Sequence, residues 1–219
     1  MTTRLGDWLD ERFDWRKVWA AIFLRKIPHV NWLYTLGSAT LFVAGLQIVT
    51  GILLTLYYVP TPDHAYDSVV YITTQVTAGW FIRGLHHWGA SAMVILTVLH
   101  LLRTFFYGAY KFPREVTWLS GVFLLLVVVG FGFTGYLLPW DQKAYWATTV
   151  GTRIAGVAPG IGDAILRIAR GGEELSAVTL ARFFGAHVWV LPAALLTLLV
   201  IHLYLIIRIG ITAVPGRDE

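Results

Sequence analysis

The sequence predicts an all-α membrane protein with four transmembrane helices in a bundle and an N-terminal amphipathic surface helix. Of its 219 residues, 57% are hydrophobic, and the mean hydropathy of +0.64 exceeds that of ordinary soluble domains. Four apolar stretches each reach the length of about 20 residues that a helix needs to cross a bilayer. Two of these stretches carry histidine pairs at nearly equal spacing.

Composition narrows the class of function. The chain has no cysteine, which excludes disulfides, iron–sulfur clusters and cofactors attached through sulfur. Its ten Trp and ten Tyr are typical of proteins whose rings lie at membrane interfaces. The net charge of +4 comes from basic residues at the ends of apolar stretches. This pattern indicates lipid contacts and topology signals and gives no reason to expect a nucleic-acid partner.

Two regions follow from the order of these patterns. Residues 1–30 mix apolar and charged side chains, which predicts an amphipathic segment in the membrane interface or packed on a partner subunit. Residues 31–219 are predicted to form the four-helix domain. Its spans are expected at about 32–58, 84–102, 116–138 and 183–207, with loops at 60–80 and 139–182.

The unequal numbers of basic residues on the two sides of the membrane predict how the chain is oriented in it. Four spans place both termini on one side, and that side carries eleven of the 17 Lys and Arg residues. By the positive-inside rule the termini are expected in the cytoplasm or its equivalent.

The histidines are the central feature. His86 and His100 are 14 residues apart, and His187 and His202 are 15 apart. On a regular helix these intervals correspond to rises of ~21 and ~22 Å and rotations of only ~40° and ~60°. If the two helices face each other, His86 meets His187 near the outer face and His100 meets His202 near the inner face. This arrangement suits two stacked six-coordinate haems, although a histidine in a membrane helix also serves as a packing residue.

Glycine pairs repeat the histidine interval. They lie 14 residues apart on the first and third spans, at Gly37 and Gly51 and at Gly121 and Gly135. Such glycines would leave room for the edge of a porphyrin, or would simply allow close packing of helices. Arg83 and Arg103 flank the second span, either to neutralise haem propionates or to reach lipid headgroups.

Longer motifs resemble a known family. They are DWLDERF, PHVNWLYTLGS, GWFIRGLHHWGAS, GYLLPWDQKAYWA and TLARFFGAHVWVLP. Over nearly the whole chain they resemble the haem-binding N-terminal half of cytochrome b from quinol-oxidising bc and b-f complexes. The intervals of 14 and 15 are similar to the short, split plastid-type form.

The resemblance implies specific residues. Two haems b would be ligated by His86 with His187, at lower potential near the positive side, and by His100 with His202, at higher potential near the negative side. The implied cofactor-binding positions are Gly37, Gln47, Gly51, Arg83, Arg103, Gly121 and Gly135. The implied wall of a quinone site consists of Tyr136, Trp140, Tyr145, Ala147, Thr148 and Val150, with Arg208 at the inner site. His29 and Asn31 are further polar candidates at the inner site.

Two departures from the family's sequence pattern limit what the resemblance implies for this chain. Thr35 stands where the plastid type attaches an extra haem through cysteine, so covalent attachment of that haem is not expected. The Pro-Glu-Trp-Tyr motif of the quinol site is absent, and in the family it lies in the C-terminal half. The implied partners are therefore a three-helix subunit carrying that half, a Rieske iron–sulfur protein and a c-type cytochrome, in a dimeric complex.

The expected function is transmembrane electron transfer within such a complex, coupling quinol oxidation on the positive side to quinone reduction on the negative side and to proton translocation. The chain would be a subunit of an enzyme and not catalytic alone. The expected location is a bacterial inner membrane, with a thylakoid or another energy-coupling membrane as the alternative. Two other functions stay open: a di-haem anchor of a hydrogenase or formate dehydrogenase, and a non-redox structural subunit.

Overall fold

A computed structural model describes residues 2–24 and 31–214, and all regular structure in these ranges is helical. His29 and Pro28 lie outside the described residues. The helices are α1 (Thr2–Phe13), α2 (Trp15–Phe23), α3 (Thr35–Thr55), α4 (Ala65–Thr74), α5 (Gly79–Phe106), α6 (Glu115–Leu137), α7 (Gln142–Gly156), α8 (Gly162–Arg170), α9 (Ala177–Gly185) and α10 (Leu191–Ile209). A 3₁₀ turn, Trp32–Tyr34, precedes α3, and a π-helical turn, Ala186–Val190, joins α9 to α10.

Four helical segments have the length and apolar character of membrane spans, as predicted. They are Trp32–Thr55, Gly79–Phe106, Glu115–Leu137 and Ala177–Ile209. The shortest has 23 residues, which is ~35 Å of helix and more than the ~30 Å hydrocarbon layer of a bilayer. The chain is an integral membrane protein.

The second and fourth spans extend further than hydropathy predicted. The second begins at Gly79 rather than 84, because a helix need not stop where its apolar stretch stops. The fourth begins at Ala177 rather than 183, where a capping box satisfies the first backbone N–H groups. In it the Ser176 hydroxyl accepts from the N–H of Thr179, and the Thr179 hydroxyl accepts from the N–H of Ser176.

The two predicted loops contain helices. Residues 60–80 include α4, and residues 139–182 include α7, α8 and the start of α9. In the N-terminal segment, α1 and α2 meet at Asp14, whose φ of 49° is left-handed. The Trp15 indole N–H donates to the Gly6 carbonyl at 2.8 Å, which folds the two helices together.

The four spans pack as two pairs. α3 lies along α5, α6 lies along α10, and α5 contacts α6. We call the end at which α3 begins and α10 ends the inner end, and the opposite end the outer end. Midway between them, Ala44, Met93 and Val128 form a buried apolar cluster, and Leu195 of α10 is also buried. We call these four residues the midplane layer.

The midplane layer follows from the 14-residue intervals. Ala44 is seven residues from both Gly37 and Gly51, and Met93 is seven from both His86 and His100. Val128 likewise lies midway between the two glycines of α6. The bundle is therefore closed by apolar packing at its centre, with one histidine level on each side.

Candidate functional site

The outer histidine pair is brought together by α5 and the π-helical turn. The ring centres of His86 and His187 are 6.4 Å apart, and their planes are inclined at 73°. Two metal–imidazole bonds of about 2 Å, plus roughly 1 Å from nitrogen to ring centre at each side, account for about 6 Å. The separation suits two axial ligands on one central atom.

The inner pair lies at the other end of the same helices. His100 faces Gly37 near the start of α3, and His202 bonds to Ser120 near the start of α6, so both lie toward the inner end. The structure thus places His86 beside His187 toward the outer end, and His100 and His202 toward the inner end.

Hydroxyl groups hold three of the four imidazoles. Each hydroxyl comes from the helix paired with the one that carries the histidine, and each contacts the ring Nδ1. The bonds are Thr50 to His86 at 2.9 Å, Thr134 to His187 at 2.9 Å and Ser120 to His202 at 2.8 Å.

These bonds fix the tautomer of the rings. The single hydrogen of each hydroxyl is donated to a carbonyl one turn back in its own helix. The acceptors are Leu46 for Thr50 at 2.7 Å, Gly130 for Thr134 at 2.8 Å and Thr117 for Ser120 at 2.7 Å. The hydroxyl oxygen then accepts from the imidazole, so the proton of a neutral ring sits on Nδ1 and Nε2 keeps its lone pair. An imidazole in this state is ready to ligate a metal through Nε2.

The four glycines contact the histidine rings directly. A methyl group at each would lie against the Cε1 atom of one histidine, which is a neighbour that sequence reasoning had not named. The distance from such a methyl carbon to the ring Cε1 would be 2.7 Å for Gly135 and His187, 3.1 Å for Gly37 and His100, 3.3 Å for Gly51 and His86, and 3.4 Å for Gly121 and His202. Carbon atoms in contact are normally 3.5–4.0 Å apart, so the absence of a side chain at each glycine lets the ring approach the facing helix.

The π-helical turn explains the unequal histidine spacing. It begins next to His187, and the N–H of Leu191 bonds to the Ala186 carbonyl five residues back. A π-helical turn accommodates one residue more than an α-helical turn. The 15 residues from His187 to His202 therefore give about the same rotation as the 14 residues of α5. Pro192, which has no N–H to donate, follows immediately.

Paired histidines suit an iron whose other ligands come from a macrocycle. Within the described ranges, no cluster of three or more His, Cys, Asp or Glu side chains is placed to bind a bare metal ion. Haem iron takes four nitrogens from the porphyrin and needs only two axial ligands. The tautomers, the paired levels and the glycine contacts all fit haem.

A buried arginine lies at the inner end. Arg103 is 8% exposed, and its guanidinium lies 3.4 Å from the centre of the Tyr34 ring and 4.9 Å from that of Tyr107. Its Nε and Nη2 atoms have no hydrogen-bond partner among the described residues. Cation–π contacts thus hold in place a charged donor that still requires an acceptor.

Other polar residues surround this end. The Asn31 amide donates to the Tyr107 hydroxyl at 2.8 Å, and Arg208 donates to the Tyr204 hydroxyl at 2.9 Å. Thr35 caps its own turn by donating to the Trp32 carbonyl at 2.7 Å.

Gln47 and Arg83 are placed differently from the glycines. The Gln47 amide crosses from α3 to α5 and donates to the Leu85 carbonyl at 3.4 Å. It lies so close to Gly89 that a side chain at position 89 would clash with it. Arg83 is half-buried near the start of α5.

The predicted quinone-site residues lie at the outer end where α6 turns into α7. Trp140 has a left-handed φ of 52°, a strained conformation for a bulky residue, and its ring packs on Tyr145 at 5.8 Å. Asp141 then caps α7 by accepting from the Ala144 N–H at 2.7 Å.

The other residues predicted to line the quinone site lie on two different faces. Tyr136, Ala147 and Val150 are exposed, whereas Thr148 is only 1% exposed and belongs to the buried face of α7. Thr148 therefore stabilises the packing of α7, while the other three are available to a ligand or partner.

Sequence reasoning missed Arg170, which ties α7, α8 and α9 together. It is 3% exposed and donates to the Thr152 hydroxyl and the Glu173 carbonyl at 2.7 Å, and to the Thr149 carbonyl at 2.8 Å. Its own carbonyl accepts from the Thr179 hydroxyl at 2.6 Å. A sequence pattern does not reveal such a site, because its acceptors on α7 and its donor on α9 are distant from Arg170 in the sequence.

The hydroxyls that bind the histidines were also missed, although a signal was present. Thr50, Ser120 and Thr134 each directly precede one of the four glycines. On α6 a hydroxyl residue repeats beside both glycines at the 14-residue interval, which would have identified Ser120 and Thr134, and Thr50 has the same position before Gly51.

Comparison with known proteins identifies the family of the chain. Residues 22–210 match the Cytochrome b/b6/petB family. The menaquinol:cytochrome c reductase cytochrome b subunit of Geobacillus thermodenitrificans is 48% identical, with 97% of this chain and 99% of that protein aligned. Cytochrome b6 of Synechococcus sp. (strain JA-3-3Ab) is 42% identical, with 96% and 98% aligned.

A solved structure shares the fold. A chain of a hyperthermophilic respiratory Complex III is 33% identical and superposes with a TM-score of 0.86. The alignment covers 97% of this chain and 58% of that longer one. The predicted family resemblance is confirmed: the chain belongs to the cytochrome b/b6 family.

Proposed function

We propose that the chain is the haem-carrying subunit of a quinol-oxidising membrane complex and transfers electrons across the bilayer through two bis-histidine haems b. His86 and His187 hold the outer haem, and His100 and His202 hold the inner one. The observation that carries this proposal is the 6.4 Å separation of the His86 and His187 rings. Family membership supports it, because cytochromes of this family bind haem b.

Haem b held in this way supplies one-electron chemistry and leaves no open iron position for oxygen. The chain's own residues keep the imidazoles in the ligating tautomer and orientation. The hydroxyl oxygens of Thr50, Ser120 and Thr134 accept hydrogen bonds from the Nδ1–H groups, and the four glycines give the rings space against the facing helices. Gln47 stabilises the contact between α3 and α5 beside His86.

Arg103 supplies the charge for a haem propionate at the inner end. Its buried Nε and Nη2 donors lack partners among the described residues, and a carboxylate would satisfy both. Arg83 has the corresponding role at the outer end of α5, where its half-buried position leaves it closer to solvent.

Quinol is oxidised at the outer end, beside the α6–α7 turn. Tyr136, Trp140, Tyr145, Ala147 and Val150 form this chain's wall of that site. A three-helix subunit with the C-terminal half of cytochrome b completes it, since this chain lacks the Pro-Glu-Trp-Tyr motif. The relative of 48% identity is named for menaquinol, and we propose menaquinol as the substrate here too.

The complex delivers one electron of each quinol to a Rieske protein and a c-type cytochrome, and the other across the membrane to a quinone near Arg208 and Asn31. Oxidation on the positive side and reduction on the negative side move protons across the membrane. The proposed assembly is dimeric, in a bacterial inner membrane with the termini in the cytoplasm. The segment 1–30 lies in the inner interface.

The test uses the native complex and four single histidine variants. A pyridine haemochrome assay is expected to give two haems b per chain. Replacing His86 or His187 with alanine should remove one spectral component, and replacing His100 or His202 should remove the other. Absence of haem b from the native chain, or loss of different components by His86→Ala and His187→Ala, would contradict the proposal.

Partner identity separates the proposal from a hydrogenase or formate dehydrogenase anchor. Purification through a tag on this chain should recover a Rieske protein and the three-helix subunit. Recovery of a hydrogenase-type electron-input subunit would instead favour the anchor function.

A further inference from the structure

Three of the four histidine-contacting glycines follow a hydroxyl residue, and the fourth does not. Thr50, Ser120 and Thr134 precede Gly51, Gly121 and Gly135, whereas Leu36 precedes Gly37. Each of the three hydroxyls binds the Nδ1 of the histidine that its neighbouring glycine contacts. Leu36 has no group to offer His100 in the same way.

The two histidine levels therefore differ in hydrogen bonding. Both histidines of the outer pair donate to a hydroxyl, while in the inner pair only His202 does. The Nδ1 of His100 is buried and has no hydrogen-bond partner within residues 2–24 and 31–214. The asymmetry is confined to the position before the glycine, because the Gly37 contact with His100 matches the other three.

A hydrogen bond from Nδ1–H to an oxygen makes an imidazole a stronger electron donor through Nε2. A stronger donor stabilises the oxidised iron more than the reduced iron and so lowers the reduction potential of the haem it ligates. The outer haem has two such ligands and the inner haem has one.

We propose that the hydroxyls of Thr50, Ser120 and Thr134, and the apolar Leu36, set the inner potential above the outer one and so direct electrons inward. Leu36 is then a potential-determining residue, because an apolar side chain at this position offers the His100 Nδ1 no acceptor. This inference rests on the proposed haem ligation and adds the residues that control its direction.

The size of the effect follows from the same chemistry. Changes to the second shell of metal-ligating histidines commonly alter the metal equilibrium by about 10-fold or more. A tenfold change in the reduction equilibrium of a one-electron couple is 59 mV. We expect each hydroxyl added or removed to move one haem by up to about this amount.

The principal experiment compares Leu36→Thr with Leu36→Val in the purified complex. Threonine and valine have nearly the same shape, so the pair differs in the hydroxyl alone. Optical redox titration should show a lower inner potential in L36T than in L36V, by roughly threefold to tenfold in the reduction equilibrium. The outer potential should be equal in both. Equal inner potentials would overturn the proposal.

A reverse set tests the native hydroxyls if L36T does not assemble. Ser120→Ala should raise the inner potential only. Thr134→Val should raise the outer potential only, and Thr134→Ser, which keeps the hydroxyl, should leave it near the native value. Unchanged potentials in both S120A and T134V would also overturn the proposal.

Electron paramagnetic resonance provides a second measure. The g values of the low-spin ferric signal depend on the donor strength of the axial ligands, so the inner signal should shift in L36T relative to L36V. Failure of the hydroxyl inference would leave two haems with unaltered potentials and signals. Failure of the proposed ligation would instead appear in the native chain as missing haem.

Discussion

His187 lies so close to Gly135 that a methyl group at position 135 would be 2.7 Å from the ring's Cε1 atom. Gly135→Ala should therefore displace His187 and lose most of the outer haem while keeping the inner one. Overpacking of this kind costs about 1–3 kcal/mol. The reduced-minus-oxidised spectrum and the haem-to-protein ratio measure the loss. Gly132→Ala on the same helix is the matched control, because a methyl group there meets nothing within 4 Å.

The four glycine distances also predict an order of severity. Alanine at Gly135 should be the most damaging, followed by alanine at Gly37, Gly51 and Gly121, at 3.1, 3.3 and 3.4 Å. Alanine at Gly135 or Gly51 should affect the outer haem, and alanine at Gly37 or Gly121 should affect the inner haem. A uniform loss of both haems in all four variants would show that the glycines serve helix packing in general.

Deleting Val190 should be tolerated, although it removes a residue from a membrane helix. Val190 is 64% exposed in the π-helical turn, and its loss would leave an α-helix with a 14-residue histidine interval like that of α5. Both haems should remain. Deleting Ile95, which is 59% exposed between the histidines of α5, should rotate one histidine by about 100° and lose a haem. Equal losses from the two deletions would contradict this interpretation of the turn.

Arg170 should matter for stability more than any exposed arginine nearby. Arg170→Gln leaves buried acceptors on α7 without a donor, which costs about 2–3 kcal/mol. The midpoint of thermal haem release in detergent should fall by about 5–10 °C. Arg167→Gln is the control, since it breaks only an exposed pair with Asp163 worth about 0.5 kcal/mol. Similar midpoints for the two variants would contradict the role assigned to Arg170.

Tyr58 is expected to stay protonated in alkaline solution. Burial raises its pKa above the ordinary value of about 10, and its hydroxyl donates to the Leu138 carbonyl at 2.6 Å. The stability from this bond is thus fully present below pH about 10 and is lost only as the pH rises toward the raised pKa. Absorbance titration at 295 nm should show the same number of ionising tyrosines in native protein and in Tyr58→Phe at pH values up to about 10. A phenolate signal from Tyr58 at its ordinary pKa would contradict the prediction.

The sequence was most informative where a feature repeats at a fixed interval. The spans follow from apolar length, and the levels of His86, His100, His187 and His202 follow from helical geometry. The glycines were found by the same interval, but their neighbour was not. A helix period shows which residues share a face, whereas the atom that touches them depends on the rotation of the facing helix.

Other features depend on interactions that a linear pattern does not contain. The π-helical turn could not be predicted, because the apolar residues of Ala186–Val190 suit a regular helix equally well. Helices α4 and α8 lie in segments whose turn residues and charges indicated loops. Arg170 is buried against Thr149 and Thr152, and only the folded chain brings these residues together.

The midplane layer has a consequence for energy conversion. Ala44, Met93, Val128 and Leu195 carry neither hydroxyl nor charge, so these side chains offer protons no hydrogen-bonded relay. In the proposed function an electron crosses this layer and protons do not. The layer therefore serves as the electrical insulator across which charge is separated. Each electron then works against the membrane potential, at about 2.3 kcal/mol per 100 mV for a full crossing. A hydrophilic side chain in place of Met93 would let protons leak across the midplane layer.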